Sequence, residues 1–305
     1  MTNRRSFIKN TSAITVGGLL LKDKAFAGVF TRAGMPPAGL QLFTLFNILD
    51  NDVPGNIKKV AAIGYKEIES AFSKKGGFYG LTAKEFNSLL KDNGLSWKSH
   101  HVLGAPFKMP AGAKSPVGPD GKPFSIPPMK NLRENGQELV DAIVEAGIPF
   151  LVCASTPFDT KEELKASIDT LNKTNEACKK AGITFAYHNH DAEFKVIDGK
   201  VPYDTMLTDT AVAMELDLCW VTKAGIDPVE LFKKHNGRFH LWHVKDIDKA
   251  MTGPQPVGTG IIDFKRIFEN ASTAGMKHYF VEHDMPADPF TSITTSMENL
   301  RKIIG

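Results

Sequence analysis

The chain holds only three cysteines, Cys153, Cys178 and Cys219, in 305 residues, too few for a disulfide framework. Two fall in strand-like apolar runs and Cys178 in a helical one, so buried thiols are expected. The net charge is a mild +3 and no block of Lys or Arg occurs, which argues against a nucleic-acid partner. No apolar run is long enough for stable membrane insertion; the best, Ala13 to Leu21, is too short to span a bilayer. No Gly-x-Gly-x-x-Gly follows the first strand-like run, against a dinucleotide fold.

What is present is a regular alternation. Hydrophobic residues make up 42% of the chain, enough for a substantial core. After residue 38, short apolar runs predict strands at Leu40–Leu45, Glu67–Ala71, Trp97–Leu103, Phe150–Ala154, Thr184–His190, Ala213–Cys219, Phe239–Val244 and Tyr279–Glu282. Amphipathic stretches between them predict helices at Ile57–Ile63, Ala83–Asp92, Leu132–Ala146, Glu162–Lys180, Pro228–Lys234 and Phe264–Ala274. Glycines after several of these, among them Gly147, Gly182 and Gly275, suit C-terminal caps. Eight βα units fit an α/β fold of the (β/α)8 TIM-barrel type better than a doubly wound sheet.

Two segments stand outside this rhythm. Asn3-Arg4-Arg5-Ser6-Phe7-Ile8-Lys9 resembles a twin-arginine export signal, and Ala25-Phe26-Ala27 offers a cleavage site. Residues 1–27 are therefore expected to be a signal peptide, 28–305 the barrel, and the working compartment the periplasm. Residues 104–128 carry seven prolines directly after the third strand. In a barrel this long loop lies over the catalytic face, as a lid or as a solvated insertion.

Asp217, His243 and Glu282 each lie at or within two residues of the end of a predicted strand, near the C-terminal face, where their side chains would converge. Carboxylate and imidazole donors of that mix suit one divalent metal ion, such as Mn, Mg, Co or Zn. Side chains alternate along a strand, so Glu215 points inward one layer below Asp217, and Lys245 follows His243 just past its strand. On the fifth strand Ala186, His188 and His190 share the inward face, where imidazoles could ligate metal, relay protons or hold sugar hydroxyls. Of His100 and His101 only one faces inward, and His101 is favoured. Glu69 ends the second strand, as a substrate contact or a rim ion pair. Gly258-Thr259-Gly260 could cradle a phosphate, but a tight turn with Asp263 capping the next helix explains the same residues.

Several motifs together resemble the sugar phosphate isomerase/epimerase family, of the xylose isomerase-like barrel superfamily. They are Tyr187-His188-Asn189-His190-Asp191-x-Glu193-Phe194, Glu215-Leu216-Asp217-x-x-Trp220, His243-Val244-Lys245-Asp246, Val257-Gly258-x-Gly260-x-x-Asp263-Phe264 and Val281-Glu282-His283-Asp284. The resemblance implies one metal held by Glu, Asp, His and Glu, of which Asp217, His243 and Glu282 match the last three. Ala186 stands where the epimerases carry the first Glu, so His188 is taken as the fourth ligand. Trp220 stands where some relatives have a substrate-contacting His. Glu69, His101, Glu193 and Trp220 are expected to meet substrate, and Glu282, His190 and Lys245 to do the chemistry.

That chemistry is proton abstraction next to the carbonyl of a sugar or keto-sugar, through a metal-stabilised enediolate. Returning the proton gives isomerisation or epimerisation; losing a substituent gives a lyase or dehydratase, with a 3-keto sugar or glycoside as substrate. A non-catalytic periplasmic sugar-binding subunit is the reading from a different class. Metal-dependent phosphodiester hydrolysis, as in the endonuclease branch, is disfavoured by Trp220 and the mild charge. The family resemblance allows a homo-oligomer.

Overall fold

The computed structural model describes residues 35–107 and 129–305. The expected signal peptide, and residues 108–128 of the proline-rich loop, lie outside the described residues.

Eight parallel strands close into a barrel in sequence order, with the last paired to the first. They are β1 (Gly39–Gln41), β2 (Glu67–Ser70), β3 (Ser96–Leu103), β4 (Phe150–Ser155), β5 (Thr184–His188), β6 (Ala213–Asp217), β7 (Leu241–Val244) and β8 (His278–Val281). The major helices between them are α1 (Val53–Ile63), α2 (Ala83–Asp92), α3 (Leu132–Ala146), α4 (Lys161–Ala181), α5 (Pro202–Asp209), α6 (Leu218–Lys223), α7 (Pro228–Lys234), α8 (Phe264–Glu269), α9 (Ala271–Ala274) and α10 (Pro289–Ile304). This is the (β/α)8 barrel that the alternation predicts. No helix among the described residues is long and apolar enough to cross a membrane.

The differences from the predicted elements are local. The run Leu40–Leu45 stops being a strand at Gln41, whose side chain accepts from Phe43 N–H and turns the chain into a 3-10 helix at Leu42–Leu45. The predicted strand Ala213–Cys219 ends at Asp217, which caps α6 by accepting from Cys219 and Trp220 N–H. The fifth strand ends at His188, two residues early, so His190 leaves the alternation. Helices α5 and α10, both with proline in the first turn, are additional. The glycines expected to cap α3, α4 and α9 do so.

Two apolar layers hold this together. The larger lies between strands and helices and includes Trp242, Phe232, Phe268 and Tyr279. The smaller plugs the barrel from within, where Phe150, Val152, Ala186, Ala213, Leu241 and Phe280 meet. Phe280 is fully buried, and truncating it to alanine should cost about 3–5 kcal/mol. Gly39 on β1 lets this ring in: a Cβ there would lie 2.4 Å from Phe280 Cδ1. The candidate site sits on top of this plug.

Candidate metal centre

Above the plug two polar layers are stacked, and alternation explains both. On β6, Ala213 belongs to the plug, Glu215 to the next layer and Asp217 to the mouth; on β7, Leu241 lies under His243. Glu69 from β2 and His101 from β3 complete the lower polar layer. Glu69, Glu215, Asp217 and His243 are fully buried.

Asp217 is aimed by its own helix cap. Its Oδ1 accepts from Cys219 and Trp220 N–H at 2.9 and 3.0 Å, which leaves Oδ2 turned into the barrel. There Oδ2 lies 4.0 Å from His188 Nε2 and 3.8 Å from His243 Nδ1. Glu282 Oε2 approaches the same His243 nitrogen at 2.8 Å. The far side of each ring meets a carboxylate: His243 Nε2 is 2.5 Å from Glu69 Oε1, and His188 Nδ1 is 3.2 Å from Glu215 Oε2. Glu69 is held in turn by the Gln41 amide at 2.7 Å and by the Ser99 hydroxyl.

Two sets of ligand-type side chains converge tightly among the described residues: Asp217, His243 and Glu282 in one, His101, His188, Glu215 and His243 in the other. This buried His/Glu cluster has the character of a divalent-metal site. Buried Asp217 Oδ2, Glu215 Oε1 and His188 Nδ1 each lack a well-aligned hydrogen bond, although the Lys245 ammonium lies 2.9 Å from Asp217 Oδ2.

The electrostatics follow from burial and mutual charge. Burial presses the His188 imidazole well below its ordinary pKa, which favours the neutral ring. Burial opposes charge on His243 too, but Glu215, Glu282 and Glu69 hold it well above the usual value. His101 rises to about 9 against its burial because of Glu69 and Glu215. Glu215 itself is pushed up to about 7 by burial and by Glu69. Burial raises the Asp217 carboxyl, whereas Lys245 and His243 overcome burial and keep Glu282 ionised.

The remaining predicted residues are spread unevenly. Lys245 Nζ enters the cluster, 2.9 Å from Asp217, 2.6 Å from Glu282 and 2.7 Å from Asp284. Trp220 is half-buried at the mouth, with the Lys245 and Lys223 ammonium groups 5.2 and 4.8 Å from its ring. His101 faces inward with Nε2 2.6 Å from Glu215, while His100 bonds Ser70 outside the barrel. His190 lies past the strand with its side chain 43% exposed, its ring 4.9 Å from His188.

The structure places two of the expected substrate contacts against protein partners. Glu193 is 1% exposed and accepts from the Tyr187 hydroxyl and from His190 N–H, so it anchors the loop that carries His190. Glu69 lies in the interior and not at the rim, against Gln41, Ser99, His101 and His243. The phosphate cradle is also filled from within: Asp246 accepts from the N–H groups of Ile247, Gly258, Gly260 and Ile262. A Cβ on Gly260 would stand 2.3 Å from Asp246 Oδ1, so only glycine permits that approach. Glu215 and Asp284 were visible in the sequence but had no role there. Alternation placed Glu215 inside, and Asp284 sits in the Val281-Glu282-His283-Asp284 run.

Residues 57–303 match the model of the xylose isomerase-like TIM barrel family. The chain belongs to this family. Its solved relatives include two sugar phosphate isomerase/epimerases from Parabacteroides distasonis. One is 27% identical, with a TM-score of 0.71 over 88% of this chain and 99% of that one. The other is 24% identical, with a TM-score of 0.70 over 90% and 98%. An inosose dehydratase from Geobacillus thermodenitrificans is 27% identical over 173 residues, 49% of this chain and 57% of that protein. The chain thus spans little more than half the length of that curated relative. A xylose isomerase-like TIM barrel protein from Mycobacterium smegmatis, solved in complex with magnesium, shares the fold at 14% identity with a TM-score of 0.59 over 88% and 96%.

Proposed function

We propose that this chain is a divalent-metal-dependent enzyme that moves a proton next to the carbonyl of an unphosphorylated sugar or keto-sugar. One observation carries the reading. His188 and His243 each turn one nitrogen toward the Asp217 and Glu282 carboxylates, and the other toward a buried carboxylate. Metal-ligating histidines are commonly oriented by such a carboxylate behind the ring. His188, Asp217, His243 and Glu282 would therefore hold the ion, with Glu215 and Glu69 as positioning residues. A bound divalent cation would supply Lewis-acid polarisation of a carbonyl or vicinal hydroxyl oxygen.

The protein groups divide the remaining work. Glu282, kept ionised by Lys245 and His243, is a better ligand than base. His190 reaches toward solvent beside Trp220, and Glu193 outweighs burial to raise its pKa above the ordinary value. This suits it to carry a proton to and from substrate. The Lys245 ammonium, raised by Asp217, Asp284 and Glu282 despite its burial, offers permanent positive charge to a developing oxyanion. Asp246 fills the turn after β7, where barrels often seat a phosphate, and this favours substrates without one.

The same groups serve elimination when a β-hydroxyl departs as water after the proton is removed. The dehydratase relative favours keeping that outcome. We further propose that Arg4 and Arg5 direct export, so that Arg4→Lys with Arg5→Lys retains the protein in the cytoplasm.

Proton NMR in deuterium oxide tests the reaction. The Mn-, Mg-, Co- or Zn-loaded protein is incubated with ketoses, inososes and 3-keto glucosides, each with its phosphate ester where one exists. Metal-dependent deuterium uptake beside a carbonyl, absent in Asp217→Ala, is expected. Tight metal binding without exchange across the panel would favour a sugar-binding subunit.

A further inference from the structure

Lys245 lies one residue past β7, and its Nζ stands between the two carboxylates assigned above as ligands. Asp217 Oδ2 and Glu282 Oε2, which it contacts at 2.9 and 2.6 Å, are the same atoms that face His188 and His243. Both acids and the lysine are buried: Asp217 is 0%, Lys245 1% and Glu282 4% exposed. Two such carboxylates left without a counter-charge would be costly.

A divalent ion bonded to those oxygens at ~2.0–2.6 Å cannot share them with an ammonium at hydrogen-bonding distance without like-charge repulsion. A third carboxylate offers the ammonium another place. Asp284 Oδ2 is 2.7 Å from Nζ, its side chain is 29% exposed, and it comes from the segment after β8 on the open side of the cluster. The Trp220 ring, 5.2 Å away, gives the charge an aromatic face.

We propose that Lys245 is a built-in stand-in for the metal ion. It neutralises Asp217 and Glu282 in the metal-free protein and withdraws onto Asp284 when a cation binds. The inference rests on the metal reading above and adds two roles. Asp284 is a positioning residue that receives the ammonium, and metal loading sets Lys245 at the substrate side of the site. The lysine stays charged throughout, so the exchange is one of position.

Mn2+ titration of the full chain by calorimetry, with thermal melts of the free and loaded protein, tests this. Lys245→Met should bind Mn2+ at least tenfold more tightly than the parent. Its metal-free form should melt lower, so that Mn2+ raises its melting temperature by more. Asp284→Asn should bind Mn2+ about tenfold more weakly, and this loss should vanish in the Lys245→Met background, since it acts through the ammonium. Equal or weaker binding by Lys245→Met, or an Asp284→Asn loss that persists without Lys245, would overturn the inference while leaving the metal reading intact. If Lys245→Met does not fold, Asp284→Asn binding Mn2+ as tightly as the parent would overturn it. Failure of the parent to bind Mn2+, Mg2+, Co2+ or Zn2+ would overturn the metal reading and this inference with it.

Discussion

Two overlapping sets of donors share His243, and a substitution series separates them. If the ion lies between Asp217, Glu282, His188 Nε2 and His243 Nδ1, then Glu69 and Glu215 act from behind the rings. Removing such a partner typically costs ~10–100-fold in metal affinity, or about 1.4–2.7 kcal/mol. Glu69→Gln should fall toward the upper end, because Glu69 Oε1 and His243 Nε2 are 2.5 Å apart and both residues are fully buried. Glu215→Gln should fall toward the lower end, since its oxygen is 3.2 Å from His188 Nδ1 without a formed hydrogen bond. Asp217→Asn is the informative ligand variant. The amide oxygen can still cap α6, so the fold keeps its cap while the anionic ligand is lost. Its Mn2+ affinity should drop more than ~100-fold, beyond the range of the carboxylates behind the rings. Calorimetric titration at constant pH measures all three. The opposite ranking would refute the assignment: Glu215→Gln and His101→Gln abolishing binding, with Asp217→Asn and Glu282→Gln losing only tenfold, would put the ion in the deeper set.

Two further outcomes test the frame around the site. Asp246→Ala strips a buried carboxylate from four backbone N–H groups and should cost about 3 kcal/mol, since bonds to charged groups are individually strong. For a barrel of this size that is a fall of about 6–12 °C in thermal midpoint, partly restored by added formate; an unchanged midpoint would contradict the filled cradle. Burial pushes the Cys153 and Cys178 thiols up to about 12 and raises Cys219 as well, so thiolate is scarce at pH 8. Ellman's reagent should leave the native protein unmodified and titrate all three thiols once it is unfolded. Rapid native labelling would show that the buried elements open locally.

Sequence alone determined the barrel, because eight apolar runs separated by amphipathic stretches have one economical closure, and helices α2, α3 and α7 were legible to the residue. It also determined which residues of each strand share a face, since a period of two is a property of the chain itself. With Asp217 and His243 taken as inward, Glu215 and Lys245 followed before any partner was known. The tertiary structure decided everything that depends on partners across the barrel. Glu69 meets His243 at a separation of 174 residues, and Glu215 meets His101 at 114, distances over which no local pattern carries information. The structure also decided where alternation stops. The chain leaves β5 after His188, so His190 sits at the mouth instead of in the stack, and Glu193 turns back to hold it. The placement of Lys245 among three carboxylates, and of Asp246 inside the Gly258-Thr259-Gly260 turn, likewise needed the folded loops. A charge finds its counter-charge through space, and only the closed barrel brings those strand ends together.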